Sequence, residues 1–288
     1  MELPDLCWLN IIKYSEPKTT KNLALCNTEF HKFFNGEYIK KLVIDFGKVI
    51  PEKAKEYITS LYNVDTIIES SKFSRLKVIK FNDFFKNKLL PNSLPSSVES
   101  ITFGKYYNRP IDLGVLPPKL KNIMFDYYYN QEIQPNVLPE SVLSITFSNT
   151  YNYKIQPNVL PKSLVYINLG WNFNCELEPG IFPSSLDTII FSWCFNRPIK
   201  KGTLPASVKT IIFRWWFNRK IKESVLPISL INITFGYLYS KKISPKILPP
   251  SLENISVDKS YPYINDLKKI CNEKEINLII TSKNIFDH

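Results

Sequence analysis

Eight prolines stand 22 residues apart, at Pro95, Pro117, Pro139, Pro161, Pro183, Pro205, Pro227 and Pro249, without an insertion. Three residues after each comes Val98, Leu120, Val142, Leu164, Leu186, Val208, Leu230 or Leu252. Three further on is an unbroken isoleucine column: Ile101, Ile123, Ile145, Ile167, Ile189, Ile211, Ile233 and Ile255. Two beyond that lies Phe103, Phe125, Phe147, Leu169, Phe191, Phe213, Phe235 or Val257. A fixed period of this length means one supersecondary unit repeated, and a unit too small to bury its own apolar side must stack on its neighbours. The isoleucine-to-phenylalanine stretch alternates at the period of a strand with one buried face. The residue before each proline is pushed toward extended backbone, and the missing proline N–H discourages a long helix on the return path. The spacing predicts a mainly β repeat solenoid: a leucine-rich-repeat-like, right-handed coil with one parallel sheet. At roughly 4.8 Å per strand, the repeat rungs make a spine about 40 Å long.

A second set of columns follows the phenylalanine. Four residues on is an aromatic ring (Phe85, Tyr107, Tyr129, Tyr151, Phe173, Phe195, Phe217, Tyr239), then asparagine at Asn108, Asn130, Asn152, Asn174, Asn196 and Asn218. A short amide repeated at one bend predicts a ladder that satisfies backbone groups the turn leaves unpaired. With these half-motifs in phase, segments such as Phe195, Asn196, Arg197, Pro198, Ile199 and Leu204, Pro205, Ala206, Ser207, Val208 resemble the FNIP repeat. That is a leucine-rich-like repeat of amoebal proteins and of large DNA viruses infecting amoebae. The resemblance covers residues 76–257, and it decays at the end, where Ser240 and Pro262 stand in the asparagine column and Val257 in the phenylalanine column.

Residues 1–46 keep neither column. An early proline and the apolar Leu9, Ile11 and Ile12 predict a short amphipathic helix, with a second across Leu23, Cys26, Phe30 and Phe34. Leu3, Pro4, Ile11, Ile12 and Tyr14, followed by Leu23, Leu25, Cys26 and Phe30, resemble an F-box. The resemblance implies that Leu3, Pro4, Ile11, Ile12 and Tyr14 dock a Skp-type adaptor of a cullin-based ubiquitin ligase. Such repeats commonly accompany an N-terminal F-box. Leu42, Val43, Ile44, Asp45 and Phe46 read as a first strand. Residues 47–75 read as a linking insertion with a helix over 51–62, started by Pro51. Residues 258–288 read as a C-terminal cap, a helix over 266–275 and a strand over 278–281, shielding the sheet edge.

Charge and aromatics point to binding. The chain has a net charge of +11, and its two ends are balanced, so residues 47–257 hold the excess, 26 basic against 15 acidic residues. Two positions past the phenylalanine column lies a stripe that includes Tyr127, Trp171, Trp193, Trp215 and Tyr237, flanked by Arg214 and Trp216, with Arg219 nearby. Trp and Arg are enriched at protein-binding hot spots, which makes Trp171, Trp193, Trp215, Trp216, Arg214 and Arg219 candidates for gripping a partner. Two other readings of the stripe stay open: rings that merely extend the core, and a basic aromatic groove for single-stranded nucleic acid.

Catalysis has little to stand on. His31 and His288 are the only histidines, neither GxGxxG nor GxxxxGK[ST] occurs, and Cys175 and Cys194 fall at different positions of adjacent repeats. Five cysteines without a CxxC pair suit a reducing compartment, and no basic leader or 18-residue apolar run is present. The expectation is a cytoplasmic, non-catalytic adaptor without cofactor, in host cytoplasm if the chain is viral. Its repeats would recruit a target protein to a ubiquitin ligase. The alternative is a free-standing scaffold binding protein or single-stranded nucleic acid.

Overall fold

The computed structural model describes residues 42–45, 55, 58–66, 68 and 70–282. Twelve strands pair in parallel in chain order. They are β1 (Leu42–Asp45), β2 (Ile58–Val64), β3 (Val78–Phe81), β4 (Ser100–Phe103), β5 (Asn122–Phe125), β6 (Ser144–Thr146), β7 (Tyr166–Asn168), β8 (Thr188–Ile190), β9 (Thr210–Ile212), β10 (Asn232–Thr234), β11 (Asn254–Asp258) and β12 (Asn277–Thr281). The isoleucine column sets the register: Ile101 faces Ile123, and each rung repeats the pairing as far as Ile233 and Ile255. This is the repeat solenoid with one parallel sheet that the columns predict.

Side chains from both halves of the repeat fill the coil. The phenylalanine column stacks upon itself, with Phe103 and Phe125 centroids 5.2 Å apart and nearly parallel. Each ring also meets the second aromatic of its own coil, as Phe125 meets Tyr129 at 4.0 Å. Pairs of this kind contribute about 0.5–1.5 kcal/mol each beyond their buried area. Leu169 replaces one ring and is fully buried in its place.

Three hydrogen-bond or turn ladders hold the rungs. The asparagine ladder forms as expected: the backbone N–H of Asn130 donates to Asn108 Oδ1 at 2.9 Å, and the pattern repeats to Ser240 on Asn218. A serine ladder runs alongside in the same period. Two residues after the proline, Ser141, Ser163, Ser185, Ser207, Ser229 and Ser251 each donate a hydroxyl to a carbonyl 21 residues earlier. The third ladder is conformational: Asn92, Gly114, Asn136, Asn158, Gly180, Gly202 and Ser224, also 22 apart, all have positive φ. Each is the third residue of a turn closed by a backbone bond, such as Val137 N–H to the Gln134 carbonyl at 3.3 Å. Asparagine and glycine tolerate that left-handed backbone, so three residue types serve one geometry.

From Ile58 on, the stretch read as a helix over 51–62 is strand β2, inserted between β1 and β3. The spacing of Ile58 and Leu61 looks helical, but a bulge between Leu61 and Val64, with Asn63 at φ 57°, breaks the alternation of a buried strand. The presumed insertion thus supplies a rung. At the far end, α1 (Ile264–Glu273) and β12 form close to the expected places. Leu267, Cys271 and Ile276 close the end of the core. The Tyr261 hydroxyl donates to the Lys241 carbonyl at 2.9 Å, and Asp266 pairs with Lys242 at 2.7 Å, so the cap is tied to the last coil. The cap covers the core rather than the sheet edge: β12 is itself the outermost strand of the described sheet, with Ile279 and Ile280 exposed.

Candidate partner-binding face

At Gly104, Gly170 and Gly236 the residue after the phenylalanine column lies against the backbone of the previous coil. At Gly170, φ is +74°, and a Cβ would lie 2.0 Å from the Ser148 carbonyl oxygen of the previous coil. Glycine is therefore required there. At Ser148 and Ser192 the same column instead buries a hydroxyl that donates to the Tyr129 and Phe173 carbonyls. The following residue repeats at the same place in every coil.

That residue is tryptophan three times running. Trp171 and Trp193 stack at 4.4 Å and 8°, Trp193 and Trp215 at 5.2 Å and 9°, and Tyr237 follows Trp215 at 4.6 Å. The structure brings these residues together as the stripe required. Their exposure is unequal: Trp171, at the end of the stack, is 41% exposed, while Trp193 and Trp215 are half-buried. The faces of Trp193 and Trp215 are covered by neighbouring rings, so mainly their edges are on offer. Trp216, one residue over, belongs to no ring pair among the described residues and is 51% exposed. The stripe is therefore uneven in exposure. Its middle extends the packed structure, and its end and its neighbour present surface.

Arg219 lies three residues beyond Trp216 and is exposed. Its Nε–H donates to the Asn196 carbonyl at 2.9 Å, and Arg197 does the same to Asn174 at 2.8 Å. Arg214 is half-buried instead, and burial pulls its guanidinium pKa below the ordinary value, opposed by Tyr166. Arg219 is the better placed of the two for an anionic partner. A second aromatic ladder went unread: Phe84, Tyr106 and Tyr128 stack at 5.4 and 5.3 Å, with Lys86 and Lys105 over the Tyr106 ring. Its signal was in the sequence as three rings at the same 22-residue spacing.

Leu3, Pro4, Ile11, Ile12, Tyr14 and His31 lie outside the described residues. Cys175 and Cys194 are not paired with one another and sit beside the Asn152 and Asn172 side-chain oxygens. Burial pushes both thiols up from their ordinary pKa, which keeps them protonated and poorly nucleophilic. Among the described residues, no three His, Cys, Asp or Glu side chains gather as a metal site needs, and no helix is long and apolar enough to cross a membrane.

The coil, its parallel sheet and its outward aromatic columns define a leucine-rich-repeat-like β-solenoid. FNIP repeat models match residues 74–106, 107–150, 151–194, 195–238 and 217–260, and the chain belongs to the FNIP repeat family. Among solved structures it is similar to CroV588, described as a novel circular LRR protein. The two share 31% identity at a TM-score of 0.63, over 74% of this chain and 35% of that one. The match thus spans about a third of CroV588. No curated protein matches the chain.

Proposed function

We propose that this chain is a non-catalytic cytoplasmic adaptor whose repeats hold a target protein and whose F-box-like N-terminus brings it to a cullin-based ubiquitin ligase. The repeat solenoid supports the first half, since stacked coils make the extended surfaces on which repeat proteins bind partners. The single observation that carries it is Trp216, a large ring left half in water three residues before Arg219, whose stem is held by the Asn196 carbonyl. Rings of this kind anchor protein interfaces, and Trp and Arg dominate hot spots. The second half rests on the resemblance of Leu3, Pro4, Ile11, Ile12 and Tyr14 to an adaptor-docking segment. Proximity, not the chain's own side-chain chemistry, would be its mechanism.

Pull-down with a purified Skp-type adaptor tests the ligase half. The full chain should retain the adaptor, and the Leu3→Ala, Pro4→Ala double variant should lose it while keeping the same far-UV circular dichroism. Retention by both chains, or by neither, would overturn the ligase reading. For the repeat half, capture of target protein by the full chain should be lost in Trp216→Ala and kept in Leu3→Ala, Pro4→Ala.

A further inference from the structure

The positive charge of this protein is concentrated at one pole. Residues 191–250 hold eleven Lys and Arg against one carboxylate, Glu223. That span carries a net +10 of the chain's +11. Elsewhere the coils neutralise such columns: Glu99 bridges Lys77 and Lys121, and Lys88 pairs with Asp112. At the pole, only Lys200, Lys209 and Lys242 have acidic partners among the described residues. The other eight, among them Arg197, Arg219, Lys220, Lys222 and Lys241, make no ion pair among the described residues. These five are all exposed. Arg197, Arg219 and Lys241 stand one coil apart in a single column, where rungs lie about 4.8 Å from each other.

We infer that this pole binds an extended acidic segment of a partner protein, with Trp216 as the apolar anchor. The inference rests on the scaffold reading above and names the chemistry of its partner. Two features select a carboxylate-rich peptide. The Nε–H bonds to Asn174 and Asn196 fix the stems of Arg197 and Arg219, and their terminal nitrogens make no bond among the described residues. A guanidinium held this way offers a preorganised fork to a carboxylate. Single-stranded nucleic acid would draw its sequence-tolerant affinity from bases stacking on free ring faces. The faces of Trp193 and Trp215 are already occupied at 4.4 to 5.2 Å by neighbouring rings. A peptide needs only an anchor ring and a row of cations, and the pole supplies both.

Fluorescence anisotropy on the full chain tests this with a labelled oligoglutamate peptide containing one leucine. The matching oligoglutamine peptide and an oligothymidylate of equal charge serve as comparisons. Saturable binding of oligoglutamate alone is expected, weakening steeply with salt. Lys220→Glu, Lys222→Glu, Lys241→Glu should reduce its affinity about tenfold or more, and Trp216→Ala likewise. Reversing Lys119 and Lys162, exposed on earlier coils, should leave it nearly unchanged. Tighter binding of oligothymidylate, equal loss in both charge-reversed variants, or no saturable peptide binding would each overturn the inference. Failure of the peptide with target capture still dependent on Trp216 would sink the acidic-segment inference and leave the scaffold reading standing.

Discussion

Tyr129 carries a hydroxyl that its position cannot use. The ring sits in the inner stack between Tyr107 and Tyr151, and its buried oxygen, like that of Tyr107, has no hydrogen-bond partner among the described residues. An unsatisfied buried polar group costs about 1–3 kcal/mol. The same column accepts phenylalanine at Phe85, Phe173, Phe195 and Phe217, so the slot fits a ring without the oxygen. Tyr129→Phe should therefore leave the fold intact and raise unfolding free energy by about 1 kcal/mol, read from urea denaturation. Burial also pushes the phenols of Tyr107, Tyr129, Tyr151 and Tyr239 up from 10.0, and that of Tyr261 to about 12. The folded state thus holds these protons more tightly than the unfolded chain does. Their contribution is complete below pH 10 and is lost as pH climbs, for Tyr261 between 10 and about 12. Urea midpoints should fall across that alkaline window, and less so in Tyr129→Phe; a midpoint independent of pH there would contradict the linkage.

The turn element shows how a period can hide a geometry. Gly180 and Ser224 occupy equivalent left-handed positions, φ 81° and 61°. Around Gly180 nothing lies within 4 Å of where a Cβ would be, so Gly180→Ala isolates the conformational cost, about 1 kcal/mol. Ser224→Gly should run the other way, gaining up to about 1 kcal/mol once relief of left-handed strain is set against glycine's entropy. Opposite shifts in melting temperature would confirm the pair, and two losses would not. This column was visible in the sequence as Asn92, Gly114, Asn136, Asn158, Gly180, Gly202 and Ser224, but its mixed residue types disguised a single φ. The strands were legible because burial tolerates little beyond Ile and Phe at those two positions. Strand β2 was not, because it has no proline to mark its phase and a bulge at Asn63 that spoils its alternation. For the face, the 22-residue spacing placed Trp171, Trp193 and Trp215 in one stack. It could not say that neighbouring rings cover the faces of Trp215, or that Trp216 is the ring left half in water. That depends on which ring has a neighbour on each side.

At the scale of the whole molecule, each strand pairs with the strand before and the strand after, so stability accumulates along one dimension. Every ladder has the same 22-residue period, and removing one period should therefore rejoin all of them at once. Deleting residues 139–160 places Pro161 after Leu138, as Pro139 stands now. Ile123 then faces Ile167, and the Asn174 N–H finds Asn130 Oδ1 where it now finds Asn152. The exposed Lys154–Glu178 pair is lost, which matters little for groups this solvated. The shortened chain should unfold cooperatively, with a somewhat lower midpoint and an unchanged basic span over residues 191–250. Deleting only 139–149 removes half a period. It sets Phe147 and Ile145 aside, joins Leu138 to Thr150, and leaves the outward and inward columns out of phase across the junction. That chain should lose its cooperative transition, since a slipped register turns buried side chains toward water. Circular dichroism melts of the two deletions decide the matter: a cooperative half-repeat deletion, or a full-repeat deletion that fails to fold, would show that the coils are not interchangeable units.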